Sequence, residues 1–339
     1  MIFSKLLFLK QLIKYKIFNI QKPLYAYWFI TDRCNLKCSH CFGLFHTNSH
    51  KDLSESETDI LLKEIISSGI KRITLLGGEP LLNPYIDKIT ETLYKNNISI
   101  LILTNGTYIE RHKNIIDKID EFGLSLDGCE TTHNKIRGKD NFKEVMNSID
   151  FIKKYGKKIV ITYTLLKSNL NDIDYILNLV KEKNIYITFN IAHGRINEYK
   201  NIIVQKAENN EYKKALQKII EYKQKNYPIF RTLATLNNML NWTDYNLDFS
   251  NQPPDKNFPS CHFGKLAVCI SSAGNMYPCF LGTDQYDSLN IIECGFEKAF
   301  QHCSKINRCG YCHVPCFLEY NKLFDLNPDV IFNIIRKLL

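Results

Sequence analysis

The chain has 339 residues, of which 45% are hydrophobic and 23% are charged. This composition is ordinary for a globular protein and excludes a disordered or fibrous chain. At about 150 residues per domain, the length predicts one large domain with a small one, or two domains. The net charge of +9 is spread widely, with no Arg-rich tract, so the sequence does not indicate nucleic-acid binding. No apolar run approaches the ~18 residues of a membrane span.

Residues 1–23 form a basic amphipathic segment. Four lysines interrupt its apolar stretches and no small-residue cleavage site follows, so it does not resemble a signal peptide. We therefore expect a cytoplasmic protein. Two interpretations of the segment stay open: a helix on an anionic membrane surface, or a helix that closes one end of a barrel.

Residues 24–250 are predicted to form an α/β domain. Strands are predicted at Tyr25–Thr31, Arg72–Leu76, Ile98–Leu103, Phe122–Leu126, Lys158–Thr164 and Ile185–Phe189. Helices are predicted at Glu55–Ser67, Tyr85–Lys95, Asn141–Tyr155, Asp172–Glu182 and Glu208–Gln224. This alternation indicates a parallel sheet, which right-handed crossovers curl into a full or partial barrel or wind doubly.

The sequence pattern changes after residue 250. Gln252–Asp255 resembles a linker, and eight of the twelve cysteines follow between Cys261 and Cys316. A segment with so few periodic apolar patterns needs a metal to hold its fold. We therefore assign residues 251–327 to a small cysteine-rich domain and residues 328–339 to a final amphipathic helix.

The first cysteine group follows the first predicted strand. Cys34, Cys38 and Cys41 have the i, i+4, i+7 spacing of one helix face, so a buried helical stripe is one interpretation. The flanking residues are polar, however, and a loop at the carboxyl end of a parallel strand is where α/β folds bind ligands. Three thiolates on one loop suit an iron–sulfur cluster with one iron left open.

Three further motifs end the next strands. Gly77-Gly78-Glu79-Pro80 ends the second, Leu103-Thr104-Asn105-Gly106 the third and Leu124-Ser125-Leu126-Asp127-Gly128 the fourth. Each motif alone is also what an ordinary turn requires. Two glycines beside a carboxylate would let the backbone approach a ligand closely.

These motifs together resemble the radical SAM superfamily, whose signature is Cys-x3-Cys-x2-Cys. The resemblance covers residues 24–200 and implies a partial (β/α)6 TIM-like barrel. It implies a [4Fe–4S] cluster on Cys34, Cys38 and Cys41 that binds S-adenosylmethionine and reductively cleaves it to a 5′-deoxyadenosyl radical. His40 stands where many members have an aromatic residue.

The resemblance also implies the cofactor contacts. The Gly77–Pro80 motif would bind the methionyl ammonium group, Ser125 the ribose, and Arg137 the methionyl carboxylate. The full set is Gly77, Gly78, Glu79, Pro80, Thr104, Asn105, Ser125, Asp127 and Arg137. The resemblance assigns Asn169 and Gly194-Arg195 to the cofactor site less strongly. Cys129 is either a buried packing residue or a thiol hydrogen donor near the radical.

The second cysteine group has two interpretations. Cys261, Cys279 and the Cys309-x2-Cys312 pair suit structural zinc, since four-cysteine zinc sites use such pairs. They also resemble the SPASM/twitch extension of radical SAM enzymes, which implies one auxiliary [4Fe–4S] cluster on these four residues. Cys316 is an alternative ligand, and we assign Cys269, Cys294 and Cys303 to packing or leave them unassigned.

The resemblance favours a radical SAM enzyme that abstracts a hydrogen atom from a peptide or protein side chain, as a peptide maturase does. A first alternative is a radical SAM enzyme of small-molecule, lipid or cofactor biosynthesis. A second is a non-catalytic iron–sulfur or zinc scaffold, which would need no nucleoside pocket. The enzymatic hypotheses imply an electron donor such as flavodoxin or ferredoxin.

Overall fold

A computed structural model describes residues 12–43, 52–193, 206–282, 286–306 and 309–336. Six strands follow one another through the first part of the chain, and all six were predicted, with their ends displaced by no more than two residues. They are β1 (Tyr25–Thr31), β2 (Arg72–Gly77), β3 (Ser99–Thr104), β4 (Glu121–Ser125), β5 (Lys158–Leu165) and β6 (Tyr186–Ile191). Each pairs with the next in parallel.

Helices connect these strands and cover the outer face of the sheet. They are α1 (Glu55–Ser68), α2 (Ile86–Lys95), α3 (Glu130–Arg137), α4 (Asn141–Lys153), α5 (Ile173–Glu182), α6 (Asn209–Gln224) and α7 (Leu233–Leu240). A 3-10 segment, Ile109–Lys118, replaces a helix between β3 and β4. Ser54 and Glu57 form a capping box at the start of α1, which fixes where that helix begins.

The cysteine-rich segment continues the same sheet. Just before it lies β7 (Phe249–Ser250), which pairs with β11 (Tyr311–Cys312) in a separate two-stranded sheet. The segment also contains β8 (Ala267–Ile270), β9 (Asn275–Tyr277), β10 (Leu289–Asn290), α8 (Ile291–Cys294), α9 (Phe296–Cys303) and α10 (Pro315–Phe324). The predicted final helix is α11 (Pro328–Arg336). The sheet order is β10-β9-β8-β1-β2-β3-β4-β5-β6. The fold is therefore an α/β partial barrel whose first strand is extended by the cysteine-rich segment.

The two faces of β1 belong to two different cores. Trp28 and its neighbours on one face pack with the helices in the main core. On the other face, Tyr25, Tyr27 and Phe29 pack with Phe263 and Phe317 of the cysteine-rich segment. Because strand side chains alternate between faces, β1 joins both parts of the molecule.

The described part of the amino-terminal segment is helical over residues 12–18. Leu12 is buried in the core that contains Phe263, and Lys16 forms a 3.0 Å ion pair with Asp325. Ile17 and Phe18 on the other side are exposed. Residues 1–11 of the predicted basic segment lie outside the described ranges. Among the described residues, no helix combines the length and apolar character needed to span a membrane.

Candidate active site

The predicted motifs meet at the carboxyl ends of the parallel strands. The first cysteine loop follows β1, Gly78 and Glu79 follow β2, and Asn105 follows β3. Asp127 lies beyond β4 and Asn169 beyond β5. Parallel α/β folds place their ligands at this edge, so the topology alone brings these residues to one site.

The first cysteine loop is irregular. Residues 32–43 form bends and turns, so the interpretation of a buried helical stripe is wrong. The thiols of Cys34, Cys38 and Cys41 are half-buried, and the Leu36 backbone N–H donates to Cys34 Sγ at 3.4 Å. Burial raises the pKa of Cys34 to about 11 and also raises the pKa of Cys38. Thiolates gathered here need a strong positive partner, which is what an iron–sulfur cluster supplies, so the three donors fit one.

Gly77 and Gly78 let the second loop dock directly onto the cysteine loop. Gly78 N donates to Thr31 O at 2.8 Å, and Glu79 N donates to Arg33 O at 2.7 Å. A Cβ atom on Gly77 would lie 2.2 Å from Thr31 O, and one on Gly78 would lie 2.3 Å from Arg33 O. Any larger residue would therefore push the cysteine loop away, so the motif is more than a strand-to-helix turn.

Glu79 is a fully buried carboxylate at the centre of this edge. It accepts hydrogen bonds from Thr104 Oγ1 at 2.7 Å, Asn105 N at 2.8 Å and Leu81 N at 3.2 Å. Burial raises the pKa of Glu79 to about 7, although these hydrogen bonds oppose the rise. Pro80 opens the short 3-10 turn that carries the Leu81 donor. The carboxylate is thus poised near its ionisation point and held in one orientation.

Asn105 links the third strand to the cysteine loop. Its side-chain Nδ2 donates to Asn35 Oδ1 at 2.9 Å, and Asn35 Nδ2 donates to Thr107 Oγ1 at 3.3 Å. Asn35 lies directly after Cys34, so these bonds fix the first ligand position relative to the sheet. No local sequence pattern indicates this role of Asn35, because its partner is 70 residues away.

Asp127 and Arg137 form a buried ion pair beside the cysteine loop. Arg137 Nε donates to Asp127 Oδ2 at 2.5 Å, and the Arg137 guanidinium holds the pKa of Asp127 below its ordinary value despite burial. Arg137 Nη1 lies 3.9 Å from Cys38 Sγ, and Arg137 Nη2 lies 3.4 Å from His40 Nε2. The guanidinium therefore reaches the thiols, where the resemblance places a bound carboxylate.

A second layer of buried polar groups holds Asp127. The Asp127 backbone N–H donates to His133 Nδ1 at 3.0 Å, so His133 carries its proton on Nε2, which faces Asn141 Oδ1 at 3.0 Å. Burial lowers the pKa of His133 to about 4, so the ring is neutral. Asn169 Nδ2 donates to the Asp127 carbonyl at 3.0 Å.

Ser125 and Cys129 have fewer polar contacts than these residues. Ser125 is half-buried at the last position of β4. Cys129 is half-buried before α3, with its thiol 3.4 Å from Thr132 Oγ1. The geometry does not choose between packing and hydrogen donation for Cys129. Gly194-Arg195 lies outside the described residues.

The four predicted auxiliary cysteines come together. The Cys261 and Cys309 thiols are hydrogen-bonded, which lowers the pKa of Cys309 to about 7. Cys261 N donates to Gly310 O at 2.8 Å, so the two segments are joined at this point. Cys279 and Cys312 are buried, and each interacts electrostatically with the Cys309 thiol. Cys309 thus interacts with the other three thiols, and four cysteines are the ligand number of both an iron–sulfur cluster and a structural zinc site.

The remaining cysteines of this segment differ in their surroundings. Cys316 accepts a hydrogen bond from the Tyr27 hydroxyl, which gives its thiol a partner outside the set of four. Cys269 is buried on β8 and Cys303 is buried in the main core. The Cys294 thiol donates to the Gly295 carbonyl at 3.6 Å.

Sequence reasoning missed a group of three residues near this edge. His193 follows β6, Asp248 precedes β7 and His313 follows β11. Strands β7 and β11 pair with each other, and this pairing brings Asp248 to His313. His193 follows its strand as the other site residues follow theirs, a signal that could have been used. The pairing of two two-residue strands has no such signal.

The fold and the site together define a class of protein. Residues 28–180 match the Radical SAM superfamily. Residues 28–180 therefore form a radical SAM domain, as the motifs predicted, and this superfamily uses a [4Fe–4S] cluster and S-adenosylmethionine.

Two relatives and one solved protein illustrate the similarity. The chain is 31% identical over 175 residues to Fe-coproporphyrin III synthase of Methanosarcina barkeri, a match that covers 50% of this chain and 43% of the relative. It is 22% identical over 327 residues to the antilisterial bacteriocin subtilosin biosynthesis protein AlbA of Bacillus subtilis, covering 88% of this chain and 68% of AlbA. The match spans about half the length of several relatives.

The solved structure is SuiB of Streptococcus suis bound to S-adenosylmethionine. It has a TM-score of 0.66 and 18% identity, and the superposition covers 87% of this chain and 71% of SuiB. At this identity the likeness establishes the fold. It covers more of the chain than residues 28–180, so the cysteine-rich segment takes part in it.

Proposed function

We propose that the chain cleaves S-adenosylmethionine reductively and abstracts a hydrogen atom from a peptide or protein side chain. The observation that carries the proposal is the convergence of three groups at one sheet edge: the three-thiol loop, the buried Glu79 carboxylate, and the Asp127–Arg137 pair. A scaffold protein would have no use for a buried carboxylate at this edge or for a guanidinium 3.9 Å from the Cys38 thiol.

Cys34, Cys38 and Cys41 are the proposed ligands of the [4Fe–4S] cluster. When bound, the cluster supplies one electron that divides S-adenosylmethionine into methionine and a 5′-deoxyadenosyl radical. The protein contributes position and exclusion of water. Gly77 and Gly78 let the second loop pack against the backbone at the start of the cysteine loop.

Glu79 and Arg137 are the proposed partners of the methionyl group. Glu79 has three backbone or hydroxyl donors that fix its orientation, and an ionised carboxylate forms a strong charge-assisted hydrogen bond with an ammonium group. Arg137 has its Nε committed to Asp127, which leaves its terminal nitrogens for a carboxylate. Thr104, Asn105 and Ser125 complete the proposed nucleoside side of the site.

A peptide substrate is supported by two comparisons. AlbA is similar over 88% of this chain and is named for the biosynthesis of a bacteriocin. SuiB, which shares the fold, has also been solved bound to the precursor peptide SuiA. The similarity to Fe-coproporphyrin III synthase favours a second candidate, a small-molecule substrate. We further propose one auxiliary [4Fe–4S] cluster, an electron donor such as flavodoxin or ferredoxin, and a cytoplasmic location.

The cleavage reaction is tested with anaerobically reconstituted protein and a strong reductant. Wild type should release 5′-deoxyadenosine, and the triple variant Cys34→Ala, Cys38→Ala, Cys41→Ala should release none. Cys294→Ala is the matched control, since its thiol lies outside both cysteine groups and should be dispensable. Cleavage by the triple variant at the wild-type rate would overturn the assignment.

The substrate class is tested by isotope transfer. Candidate precursor peptides encoded beside the gene, labelled with deuterium on their side chains, should transfer deuterium to 5′-deoxyadenosine. Deuterium transfer from a small molecule, with none from any peptide, would favour the second candidate.

A further inference from the structure

Two imidazoles and one carboxylate meet outside the site described above. His193 Nδ1 lies 3.4 Å from Asp248 Oδ1, and His313 Nε2 lies 3.8 Å from the same oxygen. One potential ligand atom from each residue lies within 4.8 Å of the other two. The imidazole rings are nearly parallel, with centroids 5.7 Å apart. We name this group the His–Asp–His cluster.

The cluster holds polar atoms that the described residues leave unsatisfied. His313 is fully buried, and neither of its ring nitrogens has a hydrogen-bond partner among the described residues. The buried Nδ1 of His193 also lacks one there, because its contact with Asp248 is long for a hydrogen bond. Buried polar atoms are normally paired, so three orphaned imidazole nitrogens beside one carboxylate indicate a missing partner.

The cluster lies between the two cysteine groups. The Phe42 ring contacts the His193 ring, with centroids 6.3 Å apart, and Phe42 directly follows Cys41. Phe42 also packs at 5.5 Å against Phe280, which directly follows Cys279. His313 directly follows Cys312. A group bound by the cluster would therefore lie close to both proposed iron–sulfur sites.

We propose that His193, Asp248 and His313 bind a divalent transition-metal ion. Two imidazoles and one carboxylate are the ligands that zinc and ferrous iron take in sites that keep open coordination positions. Ligand atoms about 2.1 Å from a shared ion lie some 3 to 4 Å apart, which matches the 3.4 Å and 3.8 Å separations in the cluster. The open positions would accept an oxygen or nitrogen atom of a substrate, although the metal site itself does not depend on which substrate the enzyme uses.

Lys206 competes with the metal for the same carboxylate. Its ammonium lies 3.3 Å from Asp248 Oδ1 and donates to the Tyr245 carbonyl at 2.6 Å. Lys206 therefore neutralises Asp248 but leaves both imidazoles without partners. Because two cations repel each other at this distance, removal of the lysine charge should strengthen metal binding.

Zinc is the probe, because iron is already present in the clusters. Anaerobically reconstituted protein is incubated with zinc sulfate and desalted, and zinc and iron are measured by mass spectrometry on preparations of equal iron content. Wild type should retain about one zinc more than His193→Ala or Asp248→Asn, by the single-site ligand set. His112→Ala is the matched control, since His112 lies 3.6 Å from Asp87 in a surface pair with one imidazole.

Zinc titrations then give the affinities. His193→Ala should weaken zinc binding about tenfold or more, as loss of one of three ligands requires, and Lys206→Met should strengthen it. Equal zinc in wild type and His193→Ala, at equal iron, would overturn the proposal. Weaker zinc binding in Lys206→Met would also overturn it, since it would mean that the lysine holds Asp248 in a metal-free network. His193 and Asp248 carry the test if a His313 variant does not fold.

Discussion

Glu79 shows how burial and hydrogen bonding oppose each other in one side chain. Removal from water favours the neutral acid, whereas three donated hydrogen bonds favour the carboxylate. The balance leaves the pKa at about 7, so in the protein without cofactor Glu79 is half-ionised near neutral pH. An arriving ammonium group would shift this balance towards the ionised form.

Binding of S-adenosylmethionine should therefore depend on pH. The ionised fraction of a group with a pKa of about 7 rises about eightfold between pH 6 and pH 7.5, so the affinity should rise by a similar factor. The sign follows because the protonated acid has no charge with which to hold the ammonium. Equilibrium binding to the reconstituted protein at several pH values measures the effect.

Glu79→Gln should abolish this dependence. Glutamine keeps the size but not the charge, so affinity should be weak across the range while the iron content stays near that of wild type. Glu55→Gln on α1, an exposed carboxylate, is the control and should keep the dependence. Unchanged binding by Glu79→Gln would return Gly77–Pro80 to the interpretation of a simple turn.

Residue positions could be predicted where the signal is local, and not where it depends on tertiary pairing. The cysteine spacing and the Gly77–Pro80 motif can each be recognised within a short stretch of sequence. The structure brings both motifs to the same edge of the sheet. Asn35 and Asn141 act through partners distant in sequence, and the His–Asp–His cluster depends on the pairing of β7 with β11. No periodic pattern marks strands of two residues.

At the scale of elements, the active-site edge is assembled by loops that dock on loops. Two backbone hydrogen bonds join the Gly78–Glu79 turn to the loop after β1. They require that nothing stand between the two backbones. Gly78 allows this close approach because it has no side chain, so its role is steric.

Gly78→Ala should displace the first cysteine loop. The added methyl group would lie 2.3 Å from Arg33 O, and the nearest atoms all belong to the backbone of Asp32 and Arg33, which cannot move aside as a flexible side chain could. We expect a loss of about 1 to 3 kcal/mol of stability and a loss of the iron attributed to the first cluster, with the auxiliary iron retained. Thermal unfolding and iron analysis of the reconstituted variant measure both.

Gly156→Ala is the matched control for this substitution. Gly156 has φ +63, and an added Cβ would meet nothing within 4 Å. It should cost about 1 kcal/mol from backbone strain alone and leave the iron content unchanged. Equal iron in the Gly78 and Gly156 variants would show that the close approach does not position the cysteine loop.

The strands of the barrel were predictable because each is a short β-rich run between helical stretches. The elements of the cysteine-rich segment were not, since β8, β9 and β10 have four residues or fewer. Helix α10 was also missed, although Pro315 stands at its first position, where proline is favoured. This helix packs against Tyr27 and Phe263, and such tertiary contacts cannot be predicted from a local sequence pattern.

At the scale of the whole molecule, the cysteine-rich segment is built into the barrel. The β8 strand pairs in parallel with β1 from Tyr25 to Trp28. The Tyr27 ring packs against Phe263, Phe280 and Phe317. The linker-like residues 252–255 therefore do not separate two independent sheets, although the domain boundaries drawn from the sequence stay a prediction.

Metal analysis distinguishes the cluster and zinc interpretations of the second cysteine group. Reconstituted wild type should hold about eight irons in two four-iron clusters, and the Cys34, Cys38, Cys41 triple variant should keep about four in the single auxiliary cluster. The residual spectrum should not change when S-adenosylmethionine is added, because protein ligands occupy all four irons. Zinc without residual iron in that variant would exclude the auxiliary cluster.

Loss of the auxiliary metal should destabilise the whole chain and not its last third alone. Cys261→Ser with Cys309→Ser removes two of four ligands, and coordination supplies folding energy where the core is small. The β8 strand pairs with β1, and Phe317 packs against one face of β1. Loss of the auxiliary metal should therefore lower the stability of the barrel as well. Scanning calorimetry should give one transition at a lower temperature, with the iron of the first cluster released in the same range.

Cys303→Ser, which buries a hydroxyl in the main core away from both cysteine groups, controls for general destabilisation and should lower the melting temperature without loss of auxiliary metal. Two separated transitions in the double variant, with the first cluster intact through the earlier one, would show that the barrel folds independently of the segment paired to it.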